Sequence, residues 1–315
     1  MNYTKKRQHY VWRHYLKPWA NKENIWTYFK NLNKIEHPNL MGVAQEKYFY
    51  KLVDFTEDEE IFLNKFIDKL SHPAVKDLNM DFLQLFTSTG KLKVLLEQST
   101  NPKIDKSLYS EMIRKMEINL MEDAHCKMEE LGEKLIQYRS LDDLKTILDE
   151  DYIFEGIMFL MFQYIRTKNM KKLVLQKYIG DKYKNIIEKS WNILSYALAT
   201  TMSRSISLDR RIKFVFIENN SDNNFITGDQ PVFNLLGNKL NENGDVAELE
   251  LYYPLTPKCA INIHFRSEQI EQFENKYADR KLVDSLNKKV FENSDYYLFS
   301  DTKGQLEEIS KNNWL

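Results

Sequence analysis

Cysteine is scarce: the 315 residues hold two, Cys126 and Cys259, with no CxxC pair and no Cys/His spacing of a zinc ligand set. That excludes a disulfide scaffold and a structural zinc, and it fits free thiols in a reducing cytoplasm. Nine glycines and seven prolines leave no Gly/Ser/Pro-rich linker, which argues against a two-domain split. A single domain over 1–315 is therefore expected, of a size that buries a full core unaided. Long apolar runs are missing as well. The longest, 153–165, is shorter than a bilayer span and holds Glu155, Gly156 and Gln163, so no membrane partner is expected. The basic start lacks the apolar stretch and small-residue cleavage site of a secretory signal, and the expected location is the cytoplasm. Excess charge of one sign is also absent: 45 Lys and Arg against 46 Asp and Glu give -1, which excludes a wholesale electrostatic grip on nucleic acid. Local patches remain. Residues 1–30 carry seven Lys or Arg against Glu23 alone, and Arg204, Arg210, Arg211 and Lys213 form a second cluster. Each patch reads either as a solvated face or as a phosphate site. Finally, there is no P-loop, G-x-G-x-x-G, G-x-S-x-G or H-E-x-x-H, so no complete catalytic signature stands in the chain.

What is present begins with QHYVWRHYLKPWA at 8–20, which packs His9, Arg13, His14 and four large aromatic rings into thirteen residues. Such a composition reads as an N-terminus tied into the folded body rather than a surface tail. Residues 25–29 and 42–50 read as short strands. Apolar residues at three- and four-residue steps then predict helices at 57–70, 77–97, 106–137, 141–149, 152–167 and 182–203, with Ser140 and Asp181 as cap residues. From 212 the texture returns to strands, at 212–218, 223–234, 247–255 and 258–265. A helix pair at 268–277 and 280–291 and a last strand at 296–300 follow. The expected class is α+β: N-terminal strands within 1–55 join a mostly antiparallel C-terminal sheet within 206–315, and the helical middle, 56–205, packs beside it.

That architecture brings the two chain ends together, and with them several polar residues. Asp229, in ITGDQPVF, sits between a strand and Pro231, with Gly228 free to take positive φ. Its carboxylate reads as metal ligand, general base or phosphate-site organiser, or else as an Asx-type turn accepting backbone N–H groups. Glu122, His125 and Glu129 share a helix face in MEDAHCKMEE, but a di-iron site needs a second Glu-x-x-His and there is none, which favours a solvated acidic face. Arg166, three residues after Gln163 at the end of a very apolar helix, is either paired with a carboxylate such as Glu122 or aimed at an anionic ligand. Arg7 and His14 show the R-x6-H spacing of some RNA-cleaving helical toxins, a pattern too short to be specific.

Together, QHYVWRHYL, AQEKYFY, MEDAHCKMEELGEKL, FQYIRT and ITGDQPVF resemble, in order and over most of the chain, the bacterial family of proteins of unknown function numbered 4238. The resemblance implies that Gln8, His9, Glu46, Glu122, Gln163, Arg166, Asp229 and Pro231 occupy the family's characteristic positions. The departures are Trp12 and Lys168, where prolines are expected, and Gly228, where serine is common. The family name carries no activity, but it implies a shared polar site.

The expectation drawn from these residues is a metal-dependent phosphodiester or nucleotide hydrolase, of the toxin or phage-defence nuclease kind. His9, Glu122 and Asp229 are the expected catalytic residues, Glu46 and Asp229 the ligands of Mg or Mn, and Gln8, Gln163 and Arg166 the substrate contacts. Nucleic acid or a nucleotide is the expected partner. The alternative is a non-enzymatic ligand-binding or sensor protein, and the plainest reading makes the polar set an internal network joining the first strands to the last.

Overall fold

A computed structural model describes residues 4–149, 152–209, 211–242, 246, 248–265 and 271–311. The N-terminal part holds β1 (Arg7–His9), α1 (Arg13–Leu16), β2 (Ala20–Asn21), β3 (Asn24–Phe29), β4 (Lys34–Glu36) and β5 (Gln45–Lys47). The helical middle runs α2 (Glu57–Leu70), α3 (Lys76–Gln98), α4 (Lys106–Leu131), α5 (Glu133–Ile136), α6 (Leu141–Lys145), α7 (Tyr152–Ile165), α8 (Lys168–Lys177), α9 (Lys184–Lys189) and α10 (Trp191–Ser207). Strands return as β6 (Ile212–Asn219), β7 (Thr227–Gly228), β8 (Phe233–Asn234), β9 (Glu250–Thr256), β10 (Cys259–Phe265) and β11 (Phe273–Ala278). The chain then closes with α11 (Arg280–Asn293), β12 (Tyr297–Ser300) and α12 (Lys303–Lys311). The fold class is α+β.

The helices start where local chemistry satisfies their free N–H groups. Thr56 and Glu59 form a reciprocal capping box on α2, whose first turn carries four acidic residues that suit the positive end of the dipole. Ser140 caps α6 by accepting from the Asp143 N–H, as expected. Asp181 makes an Asx turn with the Tyr183 N–H instead of capping, because α9 begins only at Lys184. The sequence of α7, YIFEGIMFLMFQYI, is apolar on nearly every side. It accordingly runs through the interior, packed on α4 and α10. No described helix is long and apolar enough to cross a membrane.

The strands form three sheets rather than the single sheet expected. β1 pairs with β5 alone. β10 is central in a second sheet of order β11-β6-β10-β9-β8, where β11 runs parallel to β6 and the other pairs are antiparallel. The meeting of the chain ends occurs in the third sheet, β2-β3-β12-β7 with β4 on β3, in which Phe29 to Trp26 pair with Tyr297 to Ser300. The predicted helix at 268–277 is corrected: 273–278 is β11, whose FENKYA adds to the edge of β6, and residues 268–270 lie outside the described residues. Tertiary pairing with the largely buried β6 overrides weak local helix preference here. Arg210 likewise lies outside the described residues.

The opening segment is tied down as its composition implies. The Tyr15 hydroxyl shares a 2.7 Å hydrogen bond with Thr227 Oγ1 and donates to the Pro254 carbonyl at 2.9 Å. The Trp19 indole N–H donates to the Phe225 carbonyl at 2.7 Å. Residues about two hundred positions apart are thus joined by buried aromatic side chains whose polar ends are satisfied.

Candidate functional site

β1 carries Gln8 inward and His9 to the rim of a cavity. Gln8 is fully buried and bonded at both ends of its amide: its Nε2 donates to the Ile118 carbonyl at 2.8 Å, and its Oε1 accepts from the Tyr50 N–H at 2.7 Å. It fastens β1 to α4 and to the segment after β5, and it does not line the cavity beside it. His9, one residue on, lines a cavity of about 260 Å³ together with Trp12, Arg13, His14, Lys17, Glu122, His125 and Glu129. The basic opening segment therefore faces the acidic face of α4.

Glu122, His125 and Glu129 stand one helical turn apart on α4, and their reading as a solvated face is corrected. His125 is buried and Glu129 is half-buried. Behind them, Arg166 extends from the end of α7. Its Nη2 donates to Glu129 Oε1 and to Gln163 Oε1, each at 2.9 Å, and its Nη1 lies 3.4 Å from His125 Nδ1. Tyr50 stacks on the His125 ring at 3.7 Å between centroids, and Phe162 and Tyr196 close the other sides. Gln163 thus holds Arg166, and Arg166 pairs with Glu129 rather than with Glu122.

Burial sets the protonation of this cluster. It pushes the Glu122 carboxyl up from 4.5 to about 7, helped by the neighbouring negative charge of Glu129 and opposed by Lys5 and Arg166. Burial also raises Glu129, against the pull of its partner Arg166. It lowers His9, assisted by Arg13 and opposed by the backbone at Leu40 and Met41. His125 is held well below the ordinary histidine range by burial and by Arg166, so it is neutral. With Nδ1 turned to the guanidinium, its proton sits on Nε2. The Nε2 atoms of His9 and His125 are both buried and have no hydrogen-bond partner among the described residues.

Asp229 does not line this cavity. Its Oδ1 accepts from the Asp295 N–H and its Oδ2 from the Tyr296 N–H, both at 2.8 Å, so the carboxylate clamps the turn between α11 and β12. Burial pushes it up to about 6, while the two backbone donors and Lys30 pull it down. The Asx-like reading is the one realised, with N–H groups that come from a distant segment. Gly228 is needed for a reason other than positive φ, which among the described glycines only Gly180 takes. A Cβ at Gly228 would stand 1.9 Å from Ser294 Oγ and 3.0 Å from the Tyr297 carbonyl oxygen. Close approach of β7 to Ser294, just past α11, and to β12 thus leaves no room for a side chain at this position. Gln230 completes the latch: its Nε2 donates to the Tyr164 carbonyl at 2.9 Å, and its Oε1 accepts from Thr167.

Glu46, on β5, is exposed and paired with Lys168. With Glu46 held there and both Asp229 oxygens taken by backbone, the expected metal ligands do not fit a shared ion. Among the described residues no group of three His, Cys, Asp or Glu side chains is placed to hold one. Both cysteines are free thiols.

A family model matches residues 7–304, under the description of a protein of unknown function, DUF4238. The chain belongs to the DUF4238 family. No curated protein and no solved structure matches it. In this DUF4238 member, then, the site residues implied by the resemblance do not form one site: His9 and Glu122 line one cavity, backed by Arg166 and Gln163, Gln8 and Asp229 hold the frame through backbone hydrogen bonds, Glu46 is exposed and paired with Lys168, and Pro231 follows Gln230 in the turn. Arg13, His14, Lys17, His125 and Glu129 belong to the cavity although no site role was expected of them. The helical spacing of Glu122, His125 and Glu129 was the visible signal.

Proposed function

We propose that the protein is a phosphodiester or nucleotide hydrolase that works by acid–base catalysis in the 260 Å³ cavity. The observation that carries this reading is the pairing, in one cavity, of a carboxyl raised to about 7 with an imidazole lowered from its ordinary value. Near neutral pH, Glu122 then retains a proton to give and His9 has room to take one. Arg13 and Lys17, with His14 beside them, supply positive charge where non-bridging phosphate oxygens would lie. In the proposed step, His9 removes a proton from the attacking water as its oxygen bonds to phosphorus. The bond from phosphorus to the leaving oxygen breaks, and Glu122 delivers its proton to that oxygen. Exchange with solvent restores both groups. No step is routed through a metal, because the donor set described above does not form a ligand cage.

The test is turnover of end-labelled single-stranded RNA, single-stranded DNA, duplex DNA and nucleoside triphosphates by the purified protein, with Mg, with Mn and with EDTA. Product is expected in EDTA, with a loss of at least ~100-fold in folded His9→Gln and Glu122→Gln. Turnover that needs the metal, or that survives both substitutions, would remove the acid–base assignment. Ligand-induced stabilisation without turnover of any substrate would move the protein to the sensor class.

A further inference from the structure

Arg166 also lines a second and larger cavity, of about 650 Å³, open to solvent and bordered by β5, α8, α9 and the start of α10. Its lining carries six cationic side chains, Lys47, Lys168, Lys171, Lys172, Lys184 and Arg166, against two carboxylates, Glu46 and Glu188. The carboxylates are already engaged, by Lys168 and, at 3.8 Å, by Lys171. Lys172 reaches Asp295 at 3.6 Å. Lys47 and Lys184 have no carboxylate partner among the described residues. The cavity therefore holds unbalanced positive charge on facing elements, a local field that the near-zero net charge of the chain conceals.

Two residues of the lining also carry a buried donor without a partner among the described residues. Arg166 is 2 % exposed and its Nε has no partner, and Trp191 is 4 % exposed and its indole N–H has none. Both atoms are closed off from solvent, so a ligand acceptor reaches them only with a shift of the two side chains. The apolar part of the lining is aromatic and aliphatic: Tyr48, Phe49, Trp191, Leu175 and Ile179. Tyr48 stands at φ 59, a strained conformation for a bulky residue, and is 37 % exposed. The volume lies within the range of small-ligand sites.

From this combination of unpaired cations and aromatic surface in one cavity we infer that the larger cavity binds a nucleoside phosphate, the phosphate held by the lysines and the base set against the aromatic wall. Arg166 joins the two cavities, since it lines this one while its guanidinium holds Glu129 and His125, which line the other. The inference needs only binding, so it stands or falls apart from the hydrolase reading.

Calorimetric titration of the full chain tests it, with adenosine and uridine monophosphates, a 5′-phosphorylated six-nucleotide RNA, and inorganic phosphate as separate probes. Glu122→Gln is titrated in parallel, so that loss of turnover leaves binding measurable. At least one monophosphate or the oligonucleotide is expected to bind about tenfold more tightly than phosphate. That affinity should fall about tenfold in Lys184→Glu, a half-buried position, and in Lys47→Glu, an exposed one; thermal unfolding of each without ligand reports whether the fold is kept, and the affinity should fall further with added salt. The monophosphate and oligonucleotide arms separate a free nucleotide from a polynucleotide end. The inference is overturned if no probe binds, if phosphate binds as tightly as the nucleotides, or if both charge reversals leave affinity unchanged in folded protein.

Discussion

Replacing Glu122 with glutamine separates the electrostatics of the small cavity from its chemistry. The folded protein holds the Glu122 proton with a pKa of about 7, against 4.5 for the free side chain, because burial and the charge of Glu129 disfavour the carboxylate. A raised folded pKa means that stability is intact below about 4.5, is lost progressively as the pH climbs, and carries its full deficit once the pH has passed about 7. At about 1.4 kcal/mol per pH interval the ceiling on that deficit is ~3 kcal/mol. Glu122 is only partly buried, and solvent screening brings the expected figure to about 1–2 kcal/mol. Glutamine keeps the shape and removes the charge, so the variant should match the parent in denaturant unfolding at pH 5 or below and exceed it by about 1–2 kcal/mol at pH 8.5. The same substitution should abolish turnover, which makes it a stabilising change that costs activity. A gap that is the same at pH 5 and pH 8.5 would refute the reasoning, since it would mean that Glu122 ionises as an ordinary surface carboxylate.

Three further outcomes follow from the geometry. The pH–rate profile should be bell-shaped, with the alkaline limb set near 7 by loss of the Glu122 proton and the acid limb set below the ordinary histidine value by protonation of His9; a flat rate from pH 5 to 9 would contradict both roles. Asp229→Ala leaves the Asp295 and Tyr296 N–H groups without acceptors and should destabilise by about 2–5 kcal/mol in urea unfolding, whereas a folded variant of parental stability that has lost activity would return Asp229 to the site. Arg166→Met strands Glu129 and should cost about 3–5 kcal/mol, with less cost at pH 4.5, where Glu129 takes up a proton.

The sequence by itself determined the class of fold and most of its elements, because those rest on periodicity. The three- and four-residue apolar steps of 57–70, 77–97 and 152–167 and the β-prone runs at 212–218 and 258–265 are local signals, and α2, α3, α7, β6 and β10 stand there. The ring-rich segment 8–20 likewise announced a buried N-terminus, and Tyr15 and Trp19 are its anchors. The predicted helix at 268–277 failed because FENKYA is a strand only by virtue of the β6 edge beside it. The sheet count failed because strand pairing across two hundred residues leaves little local trace.

The site was legible only in part, for a related reason. The resemblance grouped Gln8, His9, Glu122, Arg166 and Asp229, but residue type does not say which way a polar group is spent. Only tertiary structure decided that Gln8 and Asp229 would be consumed by backbone groups of distant segments. It also decided that Arg166 would be buried against Glu129, and that Glu122 would lie where desolvation lifts its pKa. Desolvation and hydrogen-bond satisfaction depend on what packs above a residue, and in this chain those neighbours arrive from other parts of the sequence.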